Sequence, residues 1–293
     1  LESRMHLYET ALQKDYEGDR AGALELLRQL QQASPEFKAQ QVRAHVARID
    51  REIELESKWQ EAQRLIAAGD WEAAVTLLTD IRRISPDFQR DDVNTHLFNA
   101  YTLLATQQLD EARGDVGQVK EAIRYLDLAL ELQPTRRDLG EERRLARLYV
   151  AGAAAYAEEA WEKAVESWQS VHGARPDYQG GVVDTYLYHA YPRAAADLLA
   201  EAEGEAKPLG QAVEYLDQWL GRSPDDAWAR EEHSLAIEYL AGLEAFNAGR
   251  WDEAIVHWGP IYLVRPSYQG GVLEERLAIA CAATEVEFSW CSP

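Results

Sequence analysis

Trp161-Glu-Lys-Ala-Val-Glu-Ser-Trp168 returns ninety residues later as Trp251-Asp-Glu-Ala-Ile-Val-His-Trp258. Arg175-Pro-Asp-Tyr-Gln-Gly-Gly-Val182 returns at the same interval as Arg265-Pro-Ser-Tyr-Gln-Gly-Gly-Val272. Trp71 precedes Trp161 by ninety, Pro86 precedes Pro176, Pro134 precedes Pro224, and Tyr125 precedes Tyr215. A fixed long period marks a repeat architecture. Each block divides again into segments that open at Arg20, Trp71, Val119, Trp161, Leu209 and Trp251. Three residues on, every segment has alanine: Ala23, Ala74, Ala122, Ala164, Ala212 and Ala254. Fifteen residues on, every segment has proline: Pro35, Pro86, Pro134, Pro176, Pro224 and Pro266. Between them the apolar spacing is helical, as in Ala74, Leu77, Leu78, Ile81 and Ile84. A helix of about 14 residues stopped by proline fits each segment. The invariant alanine has a steric reason, because a small side chain lets a neighbouring helix approach closely.

These residues resemble the tetratricopeptide repeat, whose second helix opens after a Gly-x-aromatic turn, carries an early small residue and closes on proline. Gly18-Asp19-Arg20, Gly69-Asp70-Trp71 and Gly249-Arg250-Trp251 match that turn, with Arg20 in the aromatic place. Ala11, Ala62, Gly152 and Gly242 match the small residue of the preceding helix. The resemblance covers nearly the whole chain and implies an all-α, right-handed α-solenoid of about six helix pairs with a C-terminal capping helix. One solenoid over 1–293 is expected, with units near 1–35, 36–86, 87–134, 135–176, 177–224 and 225–266, and the cap over 267–284. The period departs from the family's, which is about 34 residues. Successive prolines here lie 51, 48, 42, 48 and 42 residues apart. The extra length falls in the first helices, so 36–68 should be one very long helix or two abutting ones. Gly- and acid-rich loops are expected at 110–117, the candidate for the weakest seam, and at 201–207. Thirteen helices result, the last near Tyr268–Ala283.

Composition bounds the function. The 293 residues carry 30 Lys+Arg against 51 Asp+Glu, a net charge of −21, which repels phosphate backbones and argues against nucleic acid as a partner. With 46% hydrophobic residues the chain has material for a packed core. It has no apolar run of about 18 residues, so membrane insertion is not expected. Residues 1–147 hold 21 basic and 27 acidic side chains, whereas residues 148–293 hold 9 and 24. That second half also holds Trp161, Trp168, Trp219, Trp228, Trp251, Trp258 and Trp290. Cys281 and Cys291 are too few for a disulfide framework or a zinc site. Their plainest reading is two reduced structural thiols, with pairing left open. Leu1-Glu2-Ser3-Arg4 reads as the start of a fragment, with a cloning scar at Leu1-Glu2. Localisation therefore stays open between cytoplasmic and extracytoplasmic.

No catalytic constellation stands out. His6, His45, His96, His172, His189, His233 and His257 have no second histidine at helical spacing, and adjoining acids such as Asp91-Asp92 and Glu141-Glu142 diverge around a helix. No catalytic residue, metal ligand or cofactor is assigned, and the chain is read as a non-enzyme. The glycines at Gly180-Gly181 and Gly270-Gly271 precede helices. They could expose amides to an anion, or simply open space or set the turn. The Trp pairs fill helix seams, which the resemblance implies, while Trp219 and Trp228 are less constrained. Arg136, Arg137, Arg143, Arg144 and Arg147 are interleaved with Asp138, Glu141 and Glu142, so pairing within the cluster is the default.

In the resembled family, first helices line the concave face. Asn99, Tyr101, Tyr149, Tyr156, Tyr188, His189, Tyr191, Tyr239 and Phe246 fall on those helices and form the candidate partner-binding set. Rings offer faces and amides offer hydrogen bonds to an extended peptide; the alternative is that many of these tyrosines simply pack. The expected function is a non-catalytic protein- or peptide-binding scaffold. Its partner is more basic or aromatic than acidic, because an acidic surface steers cations. Alternatives are a sensor or regulatory segment of a larger bacterial protein, kinase-like or envelope-anchored, and a groove for a small molecule. Self-association through 268–293, where Phe288 and Trp290 lie, is a further reading.

Overall fold

The computed structural model describes residues 2–284 and Cys291. Its helices are α1 (Glu2–Tyr16), α2 (Arg20–Ala33), α3 (Ala39–Ala68), α4 (Trp71–Ile84), α5 (Arg90–Ala112), α6 (Val116–Leu132) and α7 (Arg137–Ala157). They continue with α8 (Trp161–Ala174), α9 (Val182–Glu201), α10 (Ala206–Leu220), α11 (Ala227–Asn247), α12 (Trp251–Val264) and α13 (Val272–Ala283). Two 3-10 turns, Tyr178–Gly181 and Tyr268–Gly271, precede α9 and α13. Among the described residues there is no strand. The described residues are all-α, with thirteen α-helices as the repeat spacing predicts. It divides into two compact units, Leu1–Gln108 with Glu121–Gly140, and Leu109–Lys120 with Glu141–Pro293. Helices α1 to α4 pack in succession within the first unit, and α8 to α13 within the second. Consecutive packing of this kind is consistent with a helical repeat.

The repeat positions act through packing. All six alanines of the period have 0% exposure. Four second helices, α2, α4, α8 and α12, have 14 residues each. Each ends one residue before the residue that precedes Pro35, Pro86, Pro176 or Pro266. Proline disfavours helical backbone in the residue before it, and that is where these helices stop. Asp19 and Asp70 cap α2 and α4, their carboxylates accepting from the Gly22 and Ala73 amides at 2.9 and 3.2 Å. The small residue of the first helix is matched to its partner in size. Ala11 and Ala62 go with Leu27 and Leu78, which sit seven residues into α2 and α4. Gly152 and Gly242 go with Trp168 and Trp258 at the same place in α8 and α12. All four larger side chains are buried.

The structure decides between the two alternatives for 36–68 and corrects other expectations. The segment 36–68 contains one uninterrupted 30-residue helix, α3. The long loops expected at 110–117 and 201–207 shrink to 113–115 and 202–205, because left-handed Gly114 and Gly204 reverse the chain at once. Helices α6 and α10 accordingly open three residues before Val119 and Leu209. Asp115 caps α6 by accepting from the Gln118 amide at 2.9 Å. Pro208 sits in the first turn of α10, where its missing N–H costs nothing. Cys281 and Cys291, read from the sequence as reduced thiols, form a disulfide with their Cα atoms 5.4 Å apart. Phe288 and Trp290 lie outside the described residues.

Candidate functional site

The nine first-helix candidates separate by burial. Tyr101, Tyr149, Tyr191 and Tyr239 are buried and are not presented to a partner. Tyr156, Tyr188 and Phe246 are half-buried, and Asn99 and His189 are exposed. Tyr156 lies edge-on to Trp161 with ring centres 5.0 Å apart, and Phe246 repeats that contact with Trp251 at 5.2 Å. Tyr188 packs on Trp219 at 4.4 Å, and its hydroxyl lies 3.1 Å from the Ser223 Oγ. Tyr191 accepts from the Gln169 side-chain amide at 3.3 Å. Within the second unit the fold groups these residues by shared neighbours. Tyr149 and Tyr156 both meet Tyr186, Tyr239 and Phe246 both meet Trp258, and Tyr188 adjoins His189. Asn99 and Tyr101 belong to the first unit, where Tyr101 stacks on Tyr125 at 6.3 Å.

The buried tyrosines hold backbone. The Tyr149 hydroxyl donates to the Gly114 carbonyl at 2.7 Å. In the next repeat Arg276 mediates, donating to the Gly204 carbonyl at 2.8 Å and to the Tyr239 hydroxyl at 2.7 Å. Trp168 and Trp258 donate their indole N–H groups to the Tyr149 and Tyr239 carbonyls at 3.3 and 3.0 Å. Burial pushes the Tyr149, Tyr178, Tyr215 and Tyr239 hydroxyls above the ordinary tyrosine range, and Tyr268, with Glu232 nearby, up to about 12. The Tyr178 and Tyr268 hydroxyls are buried without a hydrogen-bond partner, ninety residues apart.

In the Gln-Gly-Gly corners the glutamines, which the glycine motif does not point to, make the long-range contacts. Gln179 and Gln269 both have positive φ, of 53° and 54°, and so do the two glycines after each. A Cβ added to any of these four glycines would meet no atom within 4 Å, so they set the turn rather than make room for a helix. The side chains then do the holding. Gln179 accepts from the Gly114 amide at 3.0 Å and donates to the Leu109 carbonyl at 3.1 Å. Gln269 does the same for Gly204 and Leu199, both at 3.1 Å. One amide side chain thus satisfies an orphan carbonyl near a helix C-terminus and the turn amide that follows it. The signal for it was present, since glutamine recurs with the glycines in both copies. Gln269→Ala is expected to cost about 2–3 kcal/mol, because it strands a buried amide and a carbonyl. Chemical denaturation checks this, and a cost below about 0.5 kcal/mol sinks it.

The charged cluster pairs largely within itself. Arg136 binds Asp138 at 2.6 Å and holds that carboxyl down at about 2. Arg144 binds Glu141 at 2.7 Å, and Glu142 pairs with Arg175 at 2.9 Å. Ninety residues on, Arg265 pairs with Glu232 and Glu231, both at 2.6 Å. Of the two tryptophans left unplaced by the repeat, Trp219 is half-buried and donates to Asp226 at 3.0 Å. Trp228 remains 40% exposed. Among the described residues no group of three or more His, Cys, Asp or Glu side chains could hold a metal ion, and no helix is long and apolar enough to cross a membrane.

The class these observations define is an all-α protein of repeated helix pairs. Neither the family models nor the curated proteins compared with the chain match it.

Proposed function

We propose that this chain is a tetratricopeptide-like, right-handed α-solenoid and a non-catalytic scaffold that binds a protein or peptide. The observation that carries this reading is the division of labour in the repeat. Alanines, paired Gly–Trp contacts and Gln corners are used up in packing, while Asn99, Tyr188 and His189 on first helices reach the surface. The partner should be basic or aromatic, because residues 148–293 hold 24 acids against 9 bases. Peptide arrays of graded charge test this. Binding should follow positive charge and aromatic content and weaken with salt. Preference for acidic peptides, or no binding to basic ones, sinks it.

The disulfide favours the envelope-linked alternative, a sensor or regulatory segment of a larger protein. Structural disulfides persist in oxidising compartments and are rare in the cytosol of mesophiles. Closing so short a loop contributes about 2–3 kcal/mol on a chain-entropy basis. Reduction should therefore lower the thermal midpoint and speed amide exchange in α13, leaving the first unit unchanged. No effect of reductant on either measurement removes the support for this alternative.

A further inference from the structure

We propose that a cleft of about 320 Å³ beside Trp228 is an anchor pocket for one aromatic side chain of a basic peptide segment. This inference rests on the scaffold reading and names where the partner is gripped. One wall is Ala196, Leu199 and Ala200 of α9, with Trp228 at the start of α11. Tyr268 and the Arg265–Glu232 ion pair also line it. The volume lies at the small end of ligand pockets, which run about 300–1,000 Å³. It suits a single side chain better than a whole small molecule.

The internal repeat supplies a comparison. Six of the ten lining residues are unchanged ninety positions earlier: Leu109, Glu142, Arg175, Tyr178, Gln179 and Gly180 stand where Leu199, Glu232, Arg265, Tyr268, Gln269 and Gly270 stand here. The four that differ all change in one direction. Thr106, Asp110, Asp138 and Asp177 give way to Ala196, Ala200, Trp228 and Ser267. Three carboxylates are lost and an indole is gained, within the half of the chain that is otherwise the more acidic. Solubility alone does not account for that, since an exposed tryptophan opposes it. The unpartnered Tyr268 hydroxyl does not distinguish the two copies, because Tyr178 has the same feature.

The occupant follows from the chemistry. A lone cation gains little here, because Arg265 already lies over the Tyr268 ring, 5.8 Å from its centre, and answers Glu231 and Glu232. A neutral ring gains a stacking partner in Trp228 and an apolar wall of alanine and leucine. Basic flanking residues are drawn by the acids of the surrounding half.

Fluorine NMR of the full chain labelled with 5-fluorotryptophan tests the assignment, with the Trp228 resonance identified by Trp228→Phe. The probes are capped peptides Lys-Lys-Trp-Lys-Lys and Lys-Lys-Ala-Lys-Lys. The tryptophan peptide should shift the Trp228 signal saturably and bind about tenfold or more tightly than the alanine peptide. The double variant Ala196→Thr with Ala200→Asp, which restores the residues found ninety positions earlier, should weaken the tryptophan peptide about tenfold. Both sites are on the cleft wall rather than in the core, and an unchanged thermal midpoint confirms that the fold is intact. Equal binding of the two peptides, an unmoved Trp228 signal, or an indifferent double variant overturns the pocket. If the array still favours basic peptides in that event, the scaffold reading stands without it; if the array finds none, the scaffold reading falls separately.

Discussion

Raising the pH through 10 towards 12 is expected to unfold the second unit cooperatively. Five of its tyrosines, Tyr149, Tyr178, Tyr215, Tyr239 and Tyr268, are buried, and burial raises each hydroxyl above the ordinary value near 10. A phenol whose folded pKa exceeds its unfolded one keeps its proton in the native state while the unfolded chain gives it up. Its contribution is fully present below pH 10 and drains away as pH rises through the interval between the two values. For Tyr268, held at about 12, that loss is about 3 kcal/mol. The other four, raised in the same direction by burial, add to that loss. Phenolate absorbance and far-ultraviolet circular dichroism followed together provide the check. These tyrosines should ionise only as helicity is lost, in one step. Smooth ionisation of all tyrosines near pH 10 with the helices intact contradicts the prediction.

Gly242→Ala should destabilise the second unit by about 2 kcal/mol. An added Cβ would stand 2.3 Å from the Trp258 Nε1, a separation that real side chains do not tolerate. The indole cannot retreat without giving up its hydrogen bond to the Tyr239 carbonyl and its packing against Tyr239 and Phe246. Overpacking of this kind costs about 1–3 kcal/mol or more. It also offsets the helix-propensity gain of about 1 kcal/mol that alanine brings over glycine. Other helix pairs suggest the remedy, since buried Ala62 and buried Leu78 occupy the corresponding positions of α3 and α4. Trp258→Leu should therefore recover about 2 kcal/mol in the background of Gly242→Ala, although alone it leaves a cavity. Equilibrium unfolding of the four proteins measures the coupling. Strictly additive costs contradict the size-matching argument. Gly152 and Trp168, where the same Cβ would meet Nε1 at 2.5 Å, should behave alike.

The candidate site was less legible than the fold, for reasons that particular residues show. Tyr149 and Tyr188 both fall on first helices, and nothing local separates them. Tyr149 is buried because Gly114 lies within reach of its hydroxyl, whereas Tyr188 ends at Ser223 near the surface. Gln269 meets Leu199 and Gly204 across separations of 70 and 65 residues. Periodicity reports which residues recur, but not what they touch at that distance. The short turns at Gly114 and Gly204 were hidden for a simpler reason. Charged residues such as Asp110, Glu111 and Arg113 read as loop although most of them belong to a long helix.

Helix number and the packing role of the six repeat alanines were determined by the sequence alone. Proline stops, invariant alanines and 3.6-residue spacing act within one or two turns, so their consequences can be read locally. Only the tertiary structure decided which aromatics are core and which are surface, that Cys281 meets Cys291, and that Trp228 stands beside an apolar wall. Each of those depends on side chains brought together from distant helices, and burial is a property of that meeting rather than of any residue by itself.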